Sequence, residues 1–91
     1  MPSAYVFSPE LPYVLTFDDP ITAVRTAFVD WLRRGAVLEF TVPLGESTHL
    51  INMAQVRTLR ITPEDDPRDR GLITASVRIP LTLDAVRFHK P

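Results

Sequence analysis

Apolar residues recur at three- and four-residue spacing between positions 21 and 32, where Ile21, Val24, Phe28, Trp31 and Leu32 fall on one stripe with Ala27 beside them. That period predicts an amphipathic helix from about residue 20 to 34. The flanks carry start and stop signals. Asp19 is placed to cap the first N–H groups, and Pro20 suits the first helical position. Arg33 and Arg34 complement the negative end of the helix dipole, and Gly35 can take the left-handed stop.

Elsewhere the alternation has period two. Tyr13, Leu15 and Phe17 share one face of a first strand over residues 13–17. After Gly35, Leu38, Phe40 and Val42 alternate with Glu39 and Thr41, which predicts a half-buried strand over 36–42. Residues 43–46 read as its turn and 48–52 as a short return strand. Residues 52–55 read as a corner or one helical turn, and 56–62 as a resumed strand. Residues 63–71, with two prolines, a glycine and six charges, read as a solvated loop. Ile73, Ala75, Val77, Ile79, Leu81 and Leu83 alternate with polar residues in a long last strand, where Pro80 implies an edge position or a bulge. Val86-Arg87-Phe88 is a further pairing segment in the tail.

These elements predict an α+β fold in the order β-α-β-β-β-β, a small antiparallel sheet of four to five strands with one helix packed on one face. A crossover through the helix would add one parallel pair. Residues 13–91 form the single domain. Residues 1–12 are expected to be an extended N-terminal arm, because Pro2, Pro9 and Pro12 remove ladder donors around the apolar patch Tyr5-Val6-Phe7.

Composition narrows the class. The chain has 91 residues, 45% of them apolar and 23% charged, with a formal net charge of −1. One globular domain fits, and nothing favours a polyanion as main partner. No cysteine is present, which excludes disulfides and thiolate metal sites. No apolar run approaches the roughly 20 residues that span a bilayer, so no membrane partner is expected. The N-terminus lacks a basic segment followed by an apolar core, and a cytoplasmic location is expected. Nine arginines against one lysine point to a GC-rich bacterial or phage source.

Candidate chemistry is sparse. His49 and His89 could serve as acid, base or ligand, but neither has an acidic residue at ligand spacing, and both read as structural or solvated. Glu64, Asp65, Asp66 and Asp69 cluster, yet Pro67 interrupts them and Arg68 and Arg70 offset part of their charge, so they read as a hairpin tip rather than a calcium loop. No serine has a nucleophile context and no glycine-rich loop precedes the helix. No catalytic residue, cofactor or metal is assigned.

The segment Leu38 to Ile61 combines an alternating strand, a turn with Gly45, a return strand ending Ile51-Asn52, a three-residue step and then Val56 with Leu59 and Ile61. It resembles the strand–turn–strand–corner portion of the small flagellar-regulator family, which has a comparable Ile-Asn signature before a strand. It is also similar to a family of small actinobacterial proteins in which a strand and a helix precede that hairpin. The flagellar family places its helix after the sheet, whereas here the helix comes first. The likeness implies a shared hairpin and corner, and no functional residue is carried over.

The expected role is a non-catalytic interaction module, acting as a homo-oligomer or as a small subunit of a larger bacterial or phage assembly. Its partner is a protein, self or other. The contact residues are expected to be Tyr5, Val6 and Phe7 of the arm, with Val29, an apolar residue among Arg25 and Arg33 on the outer helix face. One alternative is a nucleic-acid-binding regulator that grips phosphates with Arg57, Arg60, Arg78 and Arg87 on a sheet face. Another is a small ligand-binding protein or enzyme using His49 in a site formed only in an oligomer.

Overall fold

The computed structural model of the chain describes residues 2–42, 47–64 and 77–90. Within them lie one helix, α1 (Ile21–Arg34), and seven strands: β1 (Ala4–Phe7), β2 (Val14–Phe17), β3 (Val37–Val42), β4 (Ser47–Asn52), β5 (Arg60–Thr62), β6 (Arg78–Leu81) and β7 (Arg87–His89). The class is α+β, as the periodicity predicts, with two strands before the helix, one more than expected there, and the remaining five after it. The strands divide over two sheets. One has the order β5-β1-β2-β6 and the other β4-β3-β7. All neighbours run antiparallel except β2 and β6, which pair in parallel.

The two sheets and the helix enclose one core. Ala4, Val6, Leu15, Phe17, Ile79 and Leu81 come from the inner face of the four-stranded sheet, and Leu38, Phe40 and Ile51 from that of the three-stranded sheet. Val24, Phe28 and Trp31 fill it from the helix. Phe28 and Trp31 join the parts, since the Phe28 ring meets Phe17 of β2 edge-on at 5.8 Å and Trp31 at 5.0 Å, and the Trp31 ring lies 6.5 Å from Phe88 of β7. Leu32, placed on the buried stripe by spacing, lies at its margin and is exposed.

The expected arm is instead an interior strand. β1 pairs with β2 on one side and β5 on the other. Pro2, Pro9 and Pro12 all fall outside Ala4–Phe7, so every residue of the strand keeps its N–H for the ladders. Val6 is wholly buried on the inner face. Phe7 is buried on the opposite face with Val14, and Tyr5 packs against them. The domain therefore begins at β1, well before residue 13.

Local signals hold at the helix end and at the Asn52 corner but not at the helix start. Gly35 sits at φ 60°, its N–H donates to the Leu32 carbonyl, and that of Ala36 donates to the Trp31 carbonyl. These two bonds close the helix as a Schellman motif. Asp19 does not cap. Pro20 occupies the cap position itself, which puts Asp19 one residue too early, and its carboxylate accepts the Leu83 N–H at 2.9 Å instead. Asn52 makes the expected corner. Its Oδ1 accepts the Ala54 N–H at 3.0 Å and opens a 3-10 turn, Met53–Gln55. Residues 56–59 then cross from one sheet to the other, so the resumed strand shrinks to Arg60–Thr62. Pro80 sits on the outermost strand β6, as a residue without an N–H should. A 3-10 turn, Leu83–Ala85, ends the last inner run, and the tail segment pairs with β3 as β7. The predicted turn at 43–46, the charged tip at 65–71 and the start of the long strand at 73–76 lie outside the described residues.

Candidate functional site

A groove of about 470 Å³ runs beside the outer strand β4. His49, Leu50, Ile51 and Asn52 form one wall and residues 10–13 the other, with Gln55 and Val56 at one end. The groove is built within one chain, unlike the oligomer-only site expected for His49. The His49 ring lies parallel to Phe40, its cross-strand partner, at 5.4 Å, and Tyr13 meets it edge-on at 5.4 Å. Burial pushes the Tyr13 hydroxyl pKa up, so it stays protonated at neutral pH.

Glu10 closes the wall opposite β4. Its Oε2 accepts the Ser8 hydroxyl at 2.8 Å and its Oε1 accepts the Arg57 N–H at 2.9 Å. The Ser8 hydrogen bond first, and the Arg57 N–H second, hold its carboxyl below the usual range. Glu10 is therefore an ionised clamp, with both oxygens committed to fixing the chain after β1 to the chain before β5.

The other candidates are dispersed. His89 lies on the outer face of the three-stranded sheet, where its Nε2 is 3.1 Å from Glu39 Oε1, away from the groove. Among the described residues no group of three or more His, Asp or Glu side chains could hold a metal ion. No helix among them is long and apolar enough to cross a membrane. Arg60 and Arg78 share the outer face of the four-stranded sheet but stand on its two edge strands. Three strand spacings separate them, roughly 14 Å. Arg57 is in the crossing segment and Arg87 on the other sheet. The four do not form one basic patch. Of the four expected contact residues, only Val29 is exposed, at 44%.

The feature that spacing did not single out is the edge of β4. Among the described residues two sheets present four edges, and three are protected in the ways that natural sheets use against strand addition. β5 is three residues long and begins with Arg60, β6 carries Arg78 and Pro80, and β7 is three residues long with Arg87 and His89. β4 is six residues long, Ser-Thr-His-Leu-Ile-Asn, without a formal charge or a proline. At its centre Leu50 is 65% exposed, the most exposed large apolar residue among those described. A signal existed in the sequence. Leu50 and Ile51 are adjacent, and consecutive strand residues cannot both face the core.

Comparison with known proteins returns no match: no family model, no curated protein and no solved structure matches this chain. The function has to be argued from the geometry.

Proposed function

We propose that this chain is a non-catalytic protein-interaction module, a homo-oligomer or a small subunit of a larger assembly, and that it makes its contact by strand addition at β4. The observation that carries this reading is the unprotected six-residue edge with Leu50 exposed at its middle. An added strand gains main-chain hydrogen bonds along the edge and apolar contact for alternate side chains. The neighbouring groove supports the same reading, because its apolar lining (Leu11, Ile51 and Val56) lies beside the edge and can receive side chains from the incoming strand.

The test compares the tagged chain with Leu50→Lys in buffer and in extract of the source cell, with cross-links mapped by mass spectrometry. The expected result is an association whose cross-links cluster on residues 47–52 and which the lysine abolishes. An association indifferent to Leu50→Lys, or cross-links that cluster on the Arg60 and Arg78 face and vanish with nuclease, refutes it.

A further inference from the structure

We infer that the strand added to β4 is β4 of a second copy, paired antiparallel about a two-fold axis with Leu50 opposite Leu50. The inference rests on the reading of β4 as the contact edge and names its occupant. An antiparallel strand pair about a two-fold axis closes on itself and uses one surface twice, so the edge must complement itself. β4 does. Its six residues carry no formal charge, so pairing it with its own copy sets no like charges opposite each other.

The register follows from the rows already present. On the outer face of the three-stranded sheet, Arg87 pairs with Glu39 and Glu39 with Leu50. Placing Leu50 against Leu50 extends this row as Arg87, Glu39, Leu50, then Leu50, Glu39 and Arg87 of the second copy. The two exposed leucines cover each other at the centre, and each Glu39 keeps Arg87 as its cross-strand neighbour and His89 as its contact on the far side. The same register sets His49 against Ile51 of the second copy. On the inner face the row then reads Phe40, His49, and Ile51, Leu38 and Phe88 of the second copy, aromatic or aliphatic throughout. A shift by two residues would place Leu50 against Thr48 and leave both leucines half covered. The result is a continuous six-stranded sheet in the order β7-β3-β4-β4-β3-β7. The unprotected edges disappear into its centre, and both ends are the short, charged β7.

The chain has no cysteine, which makes the register directly readable. In the proposed pairing, residues 50 of the two copies are direct cross-strand neighbours, within the Cα separation of about 4.4–6.8 Å that a disulfide bridges. Residues 48 are offset by four positions, about 14 Å apart, and cannot be bridged. The experiment measures the mass of the pure full chain by light scattering across a concentration series. It then compares disulfide formation in Leu50→Cys and Thr48→Cys under mild oxidation. Expected are twice the chain mass at high concentration, rapid linkage through Leu50→Cys, and little through Thr48→Cys. Leu50→Lys should weaken dimerisation about a hundredfold or more, since both copies lose a buried leucine and the two lysines would face each other. Its far-UV circular dichroism should be unchanged, because Leu50 is largely exposed. A pure chain that stays monomeric at every concentration overturns the dimer. If the association in extract is then still lost with Leu50→Lys, the edge reading survives and its occupant is another protein. A dimer in which Leu50→Cys links no faster than Thr48→Cys overturns the pairing proposed.

Discussion

Val6 and Val29 allow one substitution to be made in two environments, and the structure assigns them opposite outcomes. Val6 is wholly buried in an interior strand between Leu15 and Ile61, while Val29 is 44% exposed on the outer side of α1. Val→Ala removes two methyl groups. At Val6 the transfer loss is about 1.6 kcal/mol, at about 0.8 kcal/mol for each buried carbon. The cavity left beside rigid strands raises the cost to about 2–3 kcal/mol. At Val29 only part of that transfer term is lost, and alanine returns about 0.5 kcal/mol through its higher helix propensity. The net effect there should lie within about 0.5 kcal/mol of zero. For a domain of this size, Val6→Ala should lower Tm by roughly 10–20 °C and Val29→Ala by no more than about 4 °C. Trp31, the single tryptophan, is buried against Phe28 and reports unfolding by fluorescence in urea or on heating. If Val6→Ala leaves the midpoint within error of the parent, β1 is not part of the cooperative fold, and the N-terminal segment is an arm after all.

Three further outcomes follow from local geometry. Gly35→Ala should destabilise by about 1–2 kcal/mol through the positive φ alone, because the nearest atom to the new Cβ, Ala54 Cβ, lies at an ordinary 3.6 Å; an unchanged urea midpoint would dismiss the Schellman closure. Asp19→Ala should cost about 1–2 kcal/mol and expose the Leu83 amide to hydrogen exchange while leaving the amides of residues 21–23 as they were; the reverse pattern would make Asp19 a helix cap. Glu10 has a folded pKa below its unfolded value, so its contribution is present above the unfolded pKa and is lost as pH falls through the folded one. Glu10→Gln should therefore flatten the acid limb of a stability–pH profile, and an acid limb as steep as the parent's would mean that Ser8 and Arg57 do not hold the carboxylate.

The helix was legible because its information is local. Stripe, stop glycine and flanking charges all lie within one stretch, and the alternation of Leu38 and Phe40 or of Ile79 and Leu81 assigned inner faces in the same way. The Asn52 corner was legible for the same reason, since its side chain bonds two residues onward. Asp19 shows the limit. Its type suited a cap, but a one-residue shift in the helix start freed it for an amide 64 residues away. Tyr5-Val6-Phe7 shows it more strongly. The surrounding prolines were visible, yet whether they interrupt a ladder depends on where the strand begins and ends, and that is set by β2 and β5 from elsewhere in the chain.

The sequence by itself determined the helix and the inner faces of its clearest strands, because both follow from periodicities of 3.6 and 2 read over a few residues. Only the tertiary structure decided that the strands split into two sheets, that β2 meets β6 in parallel, and which strands end at an edge. Those are properties of strand order, and nothing in a strand's own alternation says how many neighbours it will have. The candidate site is of the second kind. Residues 10–13 and 49–52 are brought side by side by the fold, and an exposed leucine becomes a candidate contact only because β4 is the outermost strand among the described residues.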